Sequence, residues 1–336
     1  MRAMILAAGL GTRLRPITYE MPKPMVPVVN RPVIEHIARL LAHHGFTEVI
    51  ANLHWFADLV RSHLDDGSEY GIGLDYSYEE ALLGTAGGVR NVRGFLGESF
   101  LVISGDALTD IDLAAMRAYH DSHGAIATLA VTPVEDTSKY GAVITGSDGR
   151  VQGFQEKPDP PEALSNLCNC GIYMFRSEIF DYFPPEGRRS AAADRDDPDE
   201  FADWAMDVFP ALLESDVPFY AHRFDDYWND IGSLAELRQG NLDALAGAVR
   251  VEARGEIANG VRTGGAADDE GELEGPVLVG PGSELGDDVR IDGPSVIGDG
   301  CTVGAGARLR RVIALGGAQI PPGAVLVDAI AARRSA

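Results

Sequence analysis

Lysine is nearly absent from this chain. Among 336 residues there are only Lys23, Lys139 and Lys157, the other basic residues being arginine, and 28 basic side chains face 51 acidic ones for a formal charge of −23. Such a chain lacks the positive face that a nucleic-acid backbone requires, which argues against that partner. Cysteine is equally scarce. Cys168, Cys170 and Cys301 are too few for a disulfide framework, and Cys168-x-Cys170 has no second pair to complete a metal site. This usage points to a reducing cytoplasm. No uncharged apolar run approaches the ~18 residues of a membrane-spanning helix, so no membrane partner is expected. Met1-Arg2 followed by Ala3 to Gly9 faintly resembles a signal peptide, but Arg13 and Arg15 follow at once with no cleavage-like tail.

What remains is the make-up of a folded protein. A hydrophobic content of 45% is too high for a disordered chain, and the length suits about two domains. The shortage of cations poses a problem for any phosphate-handling activity, because the global field repels the substrate. Such an enzyme must concentrate its few cations locally and recruit a divalent metal. The positions that remain lysine therefore carry information, since a compact ammonium is no substitute for arginine's planar fork.

Residues 1–245 alternate strand-like and helix-like stretches. Ala3 to Ala8 reads as a buried strand entering a Gly-Leu-Gly loop. Asn30-Arg31-Pro32 reads as the opening of a helix that runs to Gly45. Thr47 to Leu53, Ile72 to Tyr78, Phe100 to Ser104 and Ala125 to Thr132 read as strands, with helices from Trp55 to Leu64 and, capped by Asp112, from Leu113 to His120. This rhythm predicts an α/β fold: a Rossmann-like, mostly parallel sheet with helices on both faces. Ligands bind such sheets beyond the carboxyl ends of the strands, where the Gly9 loop and Asp106 both fall.

A polar stretch between Gly187 and Asp199 reads as a surface loop, and residues 246–275 as a linker. A repeat follows in residues 276–336. Val279, Leu285, Ile291, Ile297, Val303, Leu309 and Leu315 are spaced by six, with glycine after several of them. That period marks a short parallel β-helix. Its open ends would expose apolar surface unless docked or paired, which favours a bracing or assembly role and a homo-oligomer, dimer or tetramer.

The segment richest in chemistry is Leu6-Ala-Ala-Gly-Leu-Gly-Thr-Arg-Leu-Arg-Pro16, followed by Pro22-Lys-Pro24. A strand opening into Gly9-x-Gly11 brings backbone amides close to phosphate. A Rossmann dinucleotide loop is the bland alternative. It is opposed by Leu14 at the third glycine position, by Arg13 and Arg15 where a helix should begin, and by Pro16, which interrupts that helix. Gly9, Gly11, Arg13 and Lys23 suit a triphosphate better than a dinucleotide.

This pattern resembles the sugar-1-phosphate nucleotidylyltransferases, also called nucleotide-sugar pyrophosphorylases. The resemblance continues through Leu83-Gly-Thr-Ala-Gly-Gly88, Ser104-Gly-Asp106, Tyr140-Gly141, Glu156-Lys-Pro158, Asn169-x-Gly171 and Trp228-Asn-Asp-Ile-Gly232. The tail looks like the left-handed β-helix that many members carry. In the family reaction the phosphate of a sugar 1-phosphate attacks the α-phosphorus of a nucleoside triphosphate and pyrophosphate leaves. Catalysis is then chiefly alignment and charge neutralisation.

The resemblance implies that Asp106 and Asp230 hold Mg²⁺. It implies that Ala8, Gly9, Gly11, Thr12, Arg13, Lys23 and Asp106 bind the nucleotide, and that Gly84 and Thr85 touch base and ribose. Gly141, Glu156, Lys157, Asn169 and Asp230 would bind the sugar phosphate. Arg13, Lys23, Asp106, Lys157 and Asp230 would form the catalytic set. Lys139, beside Tyr140-Gly141, reads equally well as a surface lysine.

The likeness is greatest to mannose-1-phosphate guanylyltransferases, which favours GTP, although Leu6-Ala-Ala-Gly9 resembles uridylyl-transferring members. Uridylyl or thymidylyl transfer to glucose 1-phosphate, or to another sugar or cyclitol phosphate, is the alternative. A non-catalytic regulatory relative would have lost a metal acid or a loop cation, and all are present. An acyltransferase in the β-helix is rejected, because that chemistry needs a basic histidine and the last one, His222, precedes the repeats. His43, His44 and His54 read as ordinary histidines, Trp55 and Phe56 as core, and one of Cys168 and Cys170 as facing the core.

Overall fold

The computed structural model describes residues 1–185, 190, 192–193, 197–254, 256–258, 261–263 and 272–333. The chain forms two compact units that do not follow its order. One comprises Met1–Leu10, Ile37–Ala107 and Ile111–Trp228; the other comprises Gly11–His36, Leu108–Asp110 and Asn229–Ala336.

The first unit is built on a nine-stranded sheet of β1 (Arg2–Leu6), β2 (Glu48–Leu53), β3 (Gly73–Tyr78), β4 (Ser99–Ser104), β5 (Ala127–Pro133), β6 (Gly141–Thr145), β7 (Val151–Glu156), β8 (Leu167–Arg176) and β9 (Phe219–Arg223). The order is β7-β6-β8-β4-β1-β2-β3, with β5 also pairing with β8 and β9 with β5. Strands β3, β2, β1 and β4 are parallel to one another, as are β5 and β9, whereas β8 runs antiparallel to β4 and β5. Ala3, Met4 and Ile5 are fully buried, as befits a parallel strand covered on both faces.

Leu6 pairs with both Asn52 and Ser104. The loops leaving β1, β2 and β4 therefore emerge at one edge, as the strand pattern implied. Helix α1 (Val33–His43) begins after the residues expected to open it, because Arg31–Pro32 is a strand paired with Pro27–Val28. Helix α2 spans Ala57–Leu64, α3 Gly84–Asn91 and α4 Leu113–Ser122. Asp112 caps α4 by accepting a hydrogen bond from Ala115 N at 2.9 Å. An aromatic cluster fills the core, with Phe175 and Trp204 ring centroids 4.6 Å apart. Trp55, expected inside, is 43% exposed. Cys168 and Cys170 are both buried, because residues two apart on a strand share a face, here the covered one, while Leu167, Asn169 and Gly171 around them are only partly buried.

In the second unit α5 (Leu234–Ala246) precedes a stack of short strands. These form three parallel ladders: Val277–Val279, Ser295–Ile297, Ile313–Ala314 and Ile330–Ala331 in one; Glu272–Glu274, Arg290–Asp292, Arg308–Arg310 and Val325–Val327 in the next; Glu284–Leu285, Thr302–Val303 and Gln319–Ile320 in the third. Parallel pairing reaches into the stretch expected as linker, where Val261–Thr263 pairs with Val277–Val279. Other parts of 246–275 and of 187–199 lie outside the described residues.

The six-residue register holds from Val279 to Leu309 and then slips. Ile297 pairs with Ala314, one residue short of the spacing that pairs Val279 with Ile297. Ala314, not Leu315, therefore joins the solenoid core beside Val303, Leu309 and Ile320. Among the described residues no helix is long and apolar enough to cross a membrane.

Candidate active site

In the second unit, the loop after Leu10 is shaped by Gly11. Its φ is +62°, and a Cβ there would lie 2.8 Å from Lys23 Cβ and 3.1 Å from Thr18 Cγ2. Only glycine suits both the backbone and the space. Thr12–Leu14 forms a single 3-10 turn, with Leu14 buried beneath it. No long helix follows, in keeping with Pro16. The turn leaves the Arg13 side chain 59% exposed, with Nη2 3.9 Å from Oδ2 of the largely buried Asp230. A Cβ on Gly232 would lie 2.8 Å from that same oxygen and 2.9 Å from Nη2 of Arg13. Gly11, Thr12, Arg13, Lys23 and Asp230 thus belong to one unit, with Gly11 pressed on Lys23 and Arg13 facing Asp230.

In the first unit, Ala7, Ala8 and Gly9 lead out of β1, and Asp106 follows β4. Gly105 N donates to Leu6 O at 2.8 Å, and a Cβ on Gly105 would meet that carbonyl at 2.7 Å. The Ser104 hydroxyl donates to Asp106 Oδ1.

Two residues that sequence reading missed join this edge to the Gly84 turn. Asn52 Oδ1 accepts from Ala7 N at 2.8 Å, and its Nδ2 donates to Glu79 Oε1 at 2.8 Å. Glu79 Oε2 accepts from Leu83 N at 3.1 Å. Asn52 and Glu79 are both buried, and burial holds the Glu79 carboxyl above the usual carboxylate range. A lone Asn and a lone Glu in a strand-rich region carry no signal until their partners are known. Thr85 is less available than its motif suggests, since its hydroxyl donates to Asp203 Oδ2 at 2.9 Å and accepts from Trp204 N at 3.1 Å.

The residues expected around the sugar converge on β6, β7 and β8. Gly141 is the register partner of Glu156. A Cβ on Gly141 would lie 3.3 Å from Glu156 Oε2 and 3.9 Å from Asn169 Cβ. Lys157, at φ +47°, places Nζ 2.6 Å from Glu156 Oε1. Asn169 is oriented from both ends, its Oδ1 accepting from Gly171 N and its Nδ2 donating to the Tyr173 hydroxyl, each at 3.1 Å. Lys139 ends the short turn Thr137–Lys139, which Asp136 caps. His54 Nδ1 shares a hydrogen bond with Glu79 O at 2.8 Å, a structural role in line with expectation.

No group of three or more His, Cys, Asp or Glu side chains capable of holding a metal occurs among the described residues. The carboxylates of Asp106 and Asp230 are hard oxygen donors, and the side-chain space beside Asp230 is one that a Cβ on Gly232 would fill. Each is the kind of donor that Mg²⁺ takes, since that ion binds one or two carboxylates and completes its shell with water and substrate phosphates.

The sheet, with its parallel run from β3 to β4, and the glycine-led cation loop point to a nucleotidyl transferase, and comparison with known proteins bears this out. The family described as Nucleotidyl transferase matches residues 2–247. The chain belongs to that family. It is 38% identical to a UTP–glucose-1-phosphate uridylyltransferase of Synechocystis, over 98% of this chain and 86% of the relative. It is 35% identical to a mannose-1-phosphate guanylyltransferase of Mycobacterium tuberculosis, over 84% of this chain and 76% of the relative. HddC from Yersinia pseudotuberculosis shares the fold, with a TM-score of 0.59 at 23% identity, covering 71% of this chain and 97% of that one.

Proposed function

We propose that the protein joins a nucleoside triphosphate to a sugar 1-phosphate, releasing pyrophosphate and a nucleoside-diphosphate sugar. The observation that carries this reading is the convergence of Gly141, Glu156 and Asn169 beside Lys157. A bare backbone, a hydroxyl-binding carboxylate, an oriented amide and an ammonium together suit a polyol bearing one phosphate.

An oxygen of that phosphate attacks the α-phosphorus, the bond from the α-phosphorus to the bridging oxygen breaks, and pyrophosphate leaves. Arg13 and Lys23 hold the triphosphate and stabilise the charge that develops as the bond breaks. Lys157 holds the attacking phosphate. Glu156 and Asn169 orient the sugar hydroxyls. Asp106 and Asp230 would hold Mg²⁺, which when bound neutralises charge shared by the two anions.

For the donor we favour GTP with a mannose-1-phosphate-like acceptor, supported by the guanylyltransferase relative and the Gly84 turn motif. A second reading, UTP with glucose 1-phosphate, is supported by the 38% identical relative that spans nearly the whole chain. Purified protein with Mg²⁺, four nucleoside triphosphates and a panel of sugar 1-phosphates, assayed for pyrophosphate release, separates them. Turnover with GTP above the others supports the first reading, and preference for UTP overturns it in favour of the second. No acceptor-dependent pyrophosphate release with any pair overturns both.

A further inference from the structure

Behind Lys23 the chain makes a tight hairpin in which Pro27–Val28 pairs with Arg31–Pro32. Its two turn residues, Val29 at φ +44° and Asn30 at φ +64°, both lie in the left-handed region. This is the backbone of a two-residue turn that asparagine and glycine favour and that a β-branched residue resists. Val29 persists there because its surroundings over-determine it. Its N–H donates to Asn241 Oδ1 at 2.8 Å, and its carbonyl accepts from Arg254 N at 3.2 Å.

Asn241 is 1% exposed in α5. Its Nδ2 donates to Pro27 O at 3.2 Å and to Leu237 O at 3.0 Å. One side chain thus holds the strand that enters the turn and the turn's first residue. The hairpin is continuous with Lys23, whose carbonyl accepts from Val26 N at 3.1 Å.

The same helix seats Asp230. Asn229 Nδ2 donates to Glu236 O at 3.3 Å, and Asn229 Oδ1 accepts from Ile231 N at 3.0 Å. Gly240 lies so close beneath that a Cβ there would meet Ile231 Cδ1 at 2.7 Å. Asn241 follows directly, on a helix already committed to the Asp230 loop.

We propose that Asn241 is a positioning residue for nucleotidyl transfer: it locks the strained hairpin behind Lys23 onto the helix that seats Asp230, so that loop cation and acid keep a fixed spacing. The proposal rests on the reaction proposed above. Asn241 touches no substrate and acts through Val29 and Pro27.

Steady-state kinetics of Asn241→Ala and the isosteric Asn241→Asp test it, with melting curves and assays run below both melting temperatures. Asn241→Ala lowers kcat by about 10²-fold and raises KM for the triphosphate by about tenfold, because small misplacements of an aligned group are this damaging. KM for the sugar 1-phosphate rises less than KM for the triphosphate, since Gly141, Glu156, Lys157 and Asn169 belong to the first unit and only Asp230 of that set belongs to the second. Asn241→Asp, which keeps the acceptor for Val29 and loses the donor to Pro27, shows the same split at smaller size. Loss of active protein with both KM values unchanged marks a purely structural role and overturns the proposal, as does wild-type kinetics in either variant. A wild-type protein without transferase activity overturns the reaction assignment instead, so the two failures are distinguishable.

Discussion

Arg13 Nη2 faces Asp230 Oδ2 across 3.9 Å, and Gly232 lies so close to both that a Cβ there would come within 2.9 and 2.8 Å of those two atoms. The pair is a loose contact between an exposed guanidinium and a mostly buried carboxylate. In the proposed reaction the triphosphate would take the arginine and the metal would take the acid, and a separation of 3.9 Å leaves the pair loose enough to part.

The acids are expected to be indispensable. Asp106→Asn and Asp230→Asn each lower kcat by about 10²-fold or more while leaving the melting temperature near that of wild type, and EDTA abolishes turnover. Mn²⁺ titration followed by electron paramagnetic resonance reads the metal directly. An Asn variant that keeps wild-type affinity for Mn²⁺ would remove that residue from the metal site.

Gly232→Ala separates geometry from charge. Its methyl carbon must push against Asp230 Oδ2 at 2.8 Å and Arg13 Nη2 at 2.9 Å. With no charge altered, kcat is expected to fall by about tenfold or more, as for other misplaced catalytic groups. Unchanged kcat in a folded variant would mean that the spacing of Arg13 and Asp230 is not critical.

Glu79→Ala tests the buried bridge in the first unit. It leaves Asn52 Nδ2 and Leu83 N without their acceptors, which destabilises the fold by about 1–3 kcal/mol. It also loosens the tie between β1 and the Gly84 turn, so KM for the triphosphate rises. Urea unfolding and initial-rate kinetics check both halves.

Stability should fall on mild acidification. His120 is fully buried, with Nδ1 2.8 Å from Thr128 Oγ1, and burial pushes its pKa down from 6.5 to about 4. Between those values the unfolded chain binds a proton that the folded chain refuses. The neutral-ring contribution is thus fully present above pH 6.5 and is lost as pH falls towards about 4, a change of about 3 kcal/mol. His222, also lowered by burial, acts in the same direction. Urea melts at several pH values should show the slope, and His120→Gln should flatten it.

Much of the fold was legible because local pattern and tertiary environment agree. The run from Ala3 to Ile5 is apolar on every residue and becomes a strand buried on both faces, and Asp112 caps the helix it precedes. The hairpin at Val29-Asn30 was not legible. Pro32 after Asn30 imitates a helix start, and nothing local announces that Val29 will be forced to a positive φ by Asn241, far along the chain. The six-residue repeat was legible up to Leu309, and the slip that exchanges Leu315 for Ala314 was not, since both residues are apolar.

The sequence by itself determined the family, because its short motifs, from the Gly9-to-Arg13 loop to Trp228-Asn-Asp-Ile-Gly232, are local in the chain, and the resemblance they carry named the candidate acids and the residues expected around the sugar. Only the tertiary structure decided what holds these segments: Asn52 and Glu79 behind the loop that leaves β1, Asn241 behind the hairpin that follows Lys23, and Thr85 committed to Asp203. Those roles depend on hydrogen bonds between residues distant in the chain, and a single amide or carboxylate carries no mark of its partner until the backbone brings the two together.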